Sequence, residues 1–185
     1  MKKIFRNTMQ QIYIPVERLK TLRGDKKLIG SFEKATRCRI SLTAGDCIEA
    51  TSRNDNAYDE FLAKNVISAY GRGFEPHVAE LLLRDDYYFS SIDLGREFGN
   101  SKRLQHVKAR IIGKEGKAKT YIEGVSGVKI SVYGDTVSFI GSAEQIEEAE
   151  AAVNTLIDGS THKLAYARME AAHRKHKEKA HDIAF

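Results

Sequence analysis

Apolar and polar positions between residues 117 and 157 fall into a readable succession. Ala118, Tyr121, Ile122 and Val125 recur at helical spacing, which predicts a short amphipathic helix over 117–126. Val128 to Tyr133 alternates with period two, Gly134-Asp135 supplies a turn, and Thr136 to Ile140 returns as a second strand. Ser142 then stands as an N-cap with Gln145 at the capping-box position, and acids fill the first turn behind it. The helix it opens buries a stripe of Ile146, Ala149, Val153, Leu156 and Ile157. Upstream, Tyr87 to Phe98 contains a strand, and Ser101 opens a basic helix running to about Arg110. The predicted order is strand, helix, loop, helix, strand, strand, helix.

A displacement of 90 residues lays this pattern on the first half of the chain. Arg37-Cys38-Arg39-Ile40-Ser41-Leu42 falls on Gly127-Val128-Lys129-Ile130-Ser131-Val132, Phe32-Glu33 falls on Ile122-Glu123, and Thr36 falls on Ser126. The apolar pattern agrees better than the identities, as two copies of one small fold would. The first copy therefore reads as a strand near Gln11–Ile14, a helix from Pro15, a loop around Gly24 and a helix through Phe32 and Ala35. Strands at Arg39–Thr43 and Cys47–Thr51 follow. A helix capped in the Asn54-Asp55-Asn56 region then carries Tyr58, Phe61, Leu62, Val66 and Ala69 on one face. Gly71-Arg72-Gly73-Phe74-Glu75-Pro76 breaks the chain, and His77 to Leu83 forms a short apolar segment. With 2 prolines in the chain, the connector is expected to be packed and the modules to share an interface. The fold class expected is α+β: two β-α-α-β-β-α modules, each a three-stranded antiparallel sheet packed against helices. The boundaries expected are 1–83, 84–160, and a basic, histidine-rich helical extension over 161–185.

Composition narrows the class. At 42% hydrophobic and 30% charged, the 185 residues have the balance of a folded globular chain. No apolar run approaches the roughly 18 residues of a membrane helix, so no membrane association is expected. Met1–Asn7 starts basic without an apolar stretch, so no signal peptide is expected. Cys38 and Cys47 are too few for a disulfide scaffold or a four-cysteine zinc site, and they read as core thiols in a reducing cytoplasm. The net charge of +5 is modest, but its placement is not uniform. Residues 101–120 carry Lys102, Arg103, Lys108, Arg110, Lys114, Lys117 and Lys119 against Glu115 alone, whereas residues 143–158 carry five acids and no base. That distribution fits an oriented polyanion-binding face, and equally a solvated charged helix.

The chemistry lies in Ile111-Ile112-Gly113-Lys114-Glu115-Gly116-Lys117, between the two helices of the second copy. A Gly-x-x-Gly loop joining helix to helix is the clamp with which KH domains grip about four nucleotides of single strand. A side chain at either glycine would hold the sugar-phosphate backbone away. The amides opening the next helix face phosphate with the positive end of its dipole. Lys114 and Lys117 add charge there, and Arg103, Lys108 and Arg110 extend it. Bases are expected on Ile111, Ile112 and Ile130, with backbone groups of Lys129–Ser131 offered to their edges. A nucleotide P-loop fails, since Ile111 stands where Walker A needs glycine and Ala118 where it needs Ser or Thr. The first copy has Arg23-Gly24-Asp25-Lys26 at the same place, which lacks the glycine pair and sets Asp25 where phosphate would sit among Arg18, Lys20, Arg23, Lys26 and Lys27. That copy reads first as structural or protein-docking, with side-on electrostatic contacts, and standard clamping of RNA is the second alternative.

At this point the sequence resembles a family. Ala69-Tyr70-Gly71-Arg72-Gly73-Phe74, Arg84-Asp85-Asp86-Tyr87-Tyr88, Ile92-Asp93-Leu94, the Ile111–Lys117 loop and Ile130-Ser131-Val132-Tyr133-Gly134 look like the archaeal Dim-two proteins, also called partner of Nob-one. The related KRR-type processome proteins are similar. The resemblance implies two tandem type I KH modules that bind the 3′ region of small-subunit ribosomal RNA during its maturation. It also implies contacts with the Nob-one endonuclease and the α-subunit of translation initiation factor two. No cofactor is implied.

Other classes stay open at this level. An enzyme would need clustered carboxylates around a metal or a nucleophile beside a base; the acids at 144–150 are already explained by a helix dipole and a solvent face, so no catalytic residue is expected. A KH-fold protein scaffold, or an RNA adaptor of another pathway, remains compatible. In the tail, His162, His173, His176 and His181 include an i,i+3 pair, but no cysteine or paired carboxylate completes a metal site, and a basic helix lying on RNA or a partner is the favoured reading.

Overall fold

Ile12, Ile40, Ile48 and Ala50 are buried from three short strands, where they alternate with more exposed neighbours at the period of a strand. The computed structural model describes residues 10–43, 47–99 and 101–183, with side chains to residue 178; the basic start at Met1–Asn7 and the side chain of His181 lie outside the described residues. The chain divides into two units at Asp85 and Asp86. Among the described residues, no helix is long and apolar enough to cross a membrane.

The first unit runs β1 (Gln10–Tyr13), α1 (Val16–Gly24), α2 (Lys26–Thr36), β2 (Cys38–Leu42), β3 (Cys47–Ser52), α3 (Ala57–Gly71) and α4 (Pro76–Ala79), closing on a 3-10 turn at Glu80–Leu83. Its sheet is antiparallel in the order β1-β3-β2, with Ile12 and Leu42 both opposite Ile48. The second runs β4 (Tyr88–Asp93), α5 (Leu94–Phe98), α6 (Lys102–Ile112), α7 (Lys117–Ser126), β5 (Lys129–Tyr133), β6 (Thr136–Gly141), α8 (Ala143–Ile157) and α9 (His162–Ile183). Its antiparallel order is β4-β6-β5, and Phe139 of the central strand faces Ile130 and packs with Leu104, Ile122 and Val153 in the core. The fold is thus α+β, with two three-stranded antiparallel sheets packed with helices.

The repeat extends to individual hydrogen bonds. Thr36 Oγ1 donates to the Phe32 carbonyl at 2.7 Å, and Ser126 Oγ donates to the Ile122 carbonyl at 2.7 Å. Glu33 Oε1 accepts the backbone N–H of Ile40 at 2.8 Å, and Glu123 Oε1 accepts that of Ile130 at 2.8 Å. Both helices end in a left-handed residue, Gly127 at φ 78° and Arg37 at φ 58°. Glycine adopts that conformation freely, whereas a residue with a Cβ is disfavoured there by about 1–2 kcal/mol.

Three details differ from the sequence reading. Tyr58 and Phe61 are half exposed, because α3 turns Ala63, Val66, Ile67 and Tyr70 inward together with Asp59 and Glu60. Glu60 earns its burial by accepting the N–H of Ser52 at 3.0 Å. The Tyr87–Phe98 segment is a strand followed by the separate helix α5, whose N-cap Asp93 accepts the Arg96 N–H at 3.0 Å. Helix α9, expected as a basic extension lying on RNA or a partner, packs on its own unit. Ala165 and Met169 of α9 are buried in the core of the second unit.

Several polar contacts hold α9 there. The Tyr121 hydroxyl donates to Glu170 at 2.6 Å, which raises the phenol pKa because the bond and then the lost hydration both favour the neutral form. Buried Glu148 of α8 lies 2.9 Å from Nδ1 of both His173 and His176. His173 and His176 thus meet a carboxylate of their own unit. Among the described residues no group of three or more His, Cys, Asp or Glu is arranged to hold a metal.

Candidate nucleic-acid interface

Helix α6 stops because Gly113 takes φ 74° and ψ 172°, which a Cβ would oppose twice. Besides the strained φ, an ideal Cβ at Gly113 would stand 2.6 Å from the Ala118 Cβ and 2.7 Å from the Ala118 nitrogen. Glycine at 113 therefore lets the loop fold back onto α7. Gly116 has φ 77°, but a Cβ there would meet nothing within 4 Å. Between them Glu115 is also left-handed, at φ 54°. The loop is pinned inside by Gly113 N–H to the Ala109 carbonyl at 2.8 Å and Gly116 N–H to the Gly113 carbonyl at 3.2 Å. Its outer edge at Gly116 opens to solvent, and the N-terminus of α7 has no side-chain cap.

The matching joint of the first unit is built differently. Asp25 is the sole residue between α1 and α2, and its Oδ1 accepts the N–H groups of Lys27 and Leu28, each at 3.0 Å. These are amides that an anion would use at a helix N-terminus. A carboxylate belonging to the protein already holds them. An Asp just ahead of a helix is an N-cap signature, and it was the available signal for this role. Two of the cations around it are committed as well. Arg18 donates to the carbonyls of Tyr70 (3.0 Å) and Phe74 (2.8 Å) and stacks over the Tyr70 ring, and Arg23 donates to the Thr43 carbonyl at 3.2 Å.

The predicted site residues of the second unit separate into surface and support. Lys114, Glu115, Lys117, Arg103 and Lys129 are exposed, and Ile112 is the exposed member of its isoleucine pair. Lys117 and Glu115 lie 3.7 Å apart, a loose surface pair of little energetic weight. Arg103 stacks over Phe98 at 4.8 Å, and Lys108 lies 4.0 Å from Asp135. Ile111 and Ile130 are buried in the core, so they cannot serve as the apolar surface for bases that the sequence suggested. They face inward because α6 buries Leu104, Val107 and Ile111 as one stripe and β5 alternates. Arg110 also departs from expectation: its guanidinium donates to the carbonyls of Leu156 and Ser160, and its own carbonyl meets His162 Nε2 at 2.9 Å. It fastens the end of α8. The N–H of Ile130, predicted among the groups offered to bases, is occupied by Glu123, which also pairs with Lys119 at 3.1 Å. Ser131, opposite Ser138, is half-buried.

A helix-loop-helix with this glycine pair, set beside an antiparallel β4-β6-β5 sheet, defines a class. The family model described as "Eukaryotic type KH-domain (KH-domain type I)" matches residues 88–174, from the first strand of the second unit into α9. The chain is 30% identical over 171 residues to a KH domain-containing protein of Methanocaldococcus jannaschii, covering 91% of this chain and 75% of that one. It is 29% identical over 119 residues to the pre-rRNA-processing protein pno1 of Aspergillus fumigatus, covering 63% of this chain and 47% of that one, so it spans about half of that relative. Dim2p from Pyrococcus horikoshii superposes with a TM-score of 0.80 at 33% identity, over 88% of this chain and 98% of that one. A chain of the a/eIF2alpha–aDim2p–rRNA complex from the same organism gives a TM-score of 0.81 at 31% identity, over 90% and 94%. The chain belongs to the Dim2/Pno1 family of KH-domain proteins.

Proposed function

We propose that the protein is a tandem KH factor that binds single-stranded RNA through the Gly113–Lys117 loop and serves the maturation of small-subunit ribosomal RNA near its 3′ end. The observation that carries this is the contrast at the two helix joints. In the second unit the start of α7 has no side-chain cap and the loop edge at Gly116 is open. In the first, Asp25 fills the equivalent place. On this reading both units are KH folds, the second holds RNA, and the first is a structural or protein-docking copy. Lys114 and Lys117 meet phosphates, Arg103, Lys108 and Lys129 lie along the strand, Ile112 offers apolar surface to a base, and Ser131 faces base edges from β5. The role is binding and placement rather than catalysis, without a cofactor, in the cytoplasm.

The pathway is supported by the pre-rRNA-processing relative and by the complex that joins an archaeal Dim2p to rRNA and a/eIF2alpha. By family likeness the partners are the α-subunit of initiation factor two and the Nob-one endonuclease. The test is a titration of labelled single-stranded RNA against a perfect duplex of the same sequence. Single strand should win, because an A-form major groove is closed to side chains. Replacing Lys114 and Glu115 together by Asp should remove most affinity, while Asp25→Ala should change it little or raise it. Preference for duplex, or equal losses from the two loops, would overturn the reading.

A further inference from the structure

The first unit carries cations where the second has none, at the end of its helix away from the Asp25 joint. Gly30, Glu33, Lys34 and Arg37 from α2 and its cap, with Arg53 and Asn54 from the turn after β3, line a hollow of about 330 Å³. Arg53 also borders a second hollow, of about 470 Å³, with Arg39, Thr51 and Ser52. The Arg53 N–H donates to the Arg37 carbonyl at 3.3 Å, so the two arginines spring from adjoining backbone. Among the described residues Glu33 is the one acid lining these hollows; it lies 3.5 Å from the Arg53 guanidinium, and its other oxygen is held by the Ile40 N–H.

The 90-residue repeat makes the comparison direct. Lys34 and Arg37 correspond to Gly124 and Gly127, and Arg53, one residue past the end of β3, corresponds to Ser142, one residue past the end of β6. Three cations thus replace two glycines and a serine. Arg37 is the telling member. It holds the left-handed conformation at φ 58° in which its counterpart is glycine, so an arginine is kept where the backbone disfavours one. Non-glycine residues held in such regions cluster at functional positions, which is consistent with a role for Arg37.

We propose that this hollow is a second anion site, distinct from the glycine loop, that takes phosphates of an RNA strand. Guanidinium forks match phosphate oxygens bidentately, and three cations from two elements around one hollow suit a group presenting several acceptor oxygens. Continuation past Arg53 to Arg39 suits a polymer with repeated charges. The proposal goes beyond the clamp reading and does not depend on it.

The experiment uses the full chain with three probes: an RNA of about four nucleotides, the length one KH clamp grips, a single-stranded RNA several times longer, and a poly-glutamate peptide. Arg37→Gly installs the residue the backbone prefers, so the variant should melt no lower than the parent. Combined with Arg53→Gln, it should weaken the longer RNA several-fold and reduce the slope of log K against log salt by roughly 1.4, about 0.7 per lost phosphate contact, leaving the short RNA unaffected. Arg37→Gly alone should give about half that change. An unchanged slope for the longer RNA, or loss of poly-glutamate binding with RNA binding intact, would overturn the proposal. In a Lys114→Asp/Glu115→Asp background a residual slope should persist and fall on adding Arg37→Gly. No residual slope would overturn this site alone, and parental binding by that background would overturn the clamp alone.

Discussion

Glu123 holds the backbone N–H of Ile130 at 2.8 Å, just as Glu33 holds that of Ile40 in the other unit. Strands β5 and β2 each have a partner on one side only, and an open strand edge invites pairing with another chain. The carboxylate closes the edge at one residue and ties the helix to the sheet. Removing it in Glu123→Ala should cost about 1–2 kcal/mol, the worth of a hydrogen bond to a partly exposed charged group. Urea denaturation measures that loss; a variant as stable as the parent would mean the contact adds nothing.

The two loop glycines should fail in different ways. Gly113→Ala adds a clash with Ala118 to a strained φ and should cost about 2–4 kcal/mol, seen as a lower melting temperature. Gly116→Ala meets open space, so only the left-handed backbone opposes it, at about 1 kcal/mol. Its larger effect should be on RNA: weaker binding with a nearly unchanged salt slope, since no charge is lost. If Gly116→Ala binds as the parent does, the loop is merely a turn.

Arg110 should behave as a structural residue. Arg110→Gln gives up charge-assisted bonds to the carbonyls of Leu156 and Ser160, and about 2 kcal/mol of stability should go with them. The salt slope for RNA should stay where it was. A slope lowered by roughly 0.7 with stability intact would return Arg110 to the phosphate-binding set.

Ser142 caps α8 through a full capping box, with the Gln145 N–H on its hydroxyl and the Ser142 N–H on Gln145 Oε1 at 2.9 Å. Ser142→Ala should cost about 1 kcal/mol. The cap also acts on Glu144, whose carboxyl pKa is lowered by its own backbone N–H and then by the Ser142 hydroxyl. A lowered pKa in the folded state stabilises the protein fully above the ordinary carboxylate pKa and ceases to do so as pH falls through the lower, folded-state value. The difference between parent and Ser142→Ala should therefore narrow on acidification by the part owed to Glu144, leaving the loss of the cap itself. Denaturation midpoints at neutral and acidic pH check this.

Much of the architecture was legible because 90 residues separate two copies of one pattern, so each strand of one half vouched for its counterpart. The Gly113–Lys117 loop was legible for the same reason, standing between two amphipathic helices. What escaped depended on contacts between distant positions. At five residues, Leu94–Phe98 is too short to show a period. The inward face of α3 was misread because Asp59 and Glu60 are buried, and polar residues inside defeat a hydrophobic stripe. Asp25 wore an N-cap signature, but alignment with a glycine loop drew attention to phosphate instead. Nothing in the pattern at Arg110 distinguishes a cation bound to carbonyls from one bound to RNA.

The burial of Ala165 and Met169 has a consequence for synthesis. A chain leaves the ribosome from its N-terminus, and domains fold as units once their residues have emerged. Among the described residues, every strand of the first unit is available by Ser52 and its last long helix by Gly71. The second unit can pair β4, β5 and β6 by Gly141, yet its core stays open on one side until α9 arrives. For that interval the glycine loop exists on an unfinished scaffold. A loop that binds RNA would thus gain its full support only once α9 has been made, well after the loop's own residues.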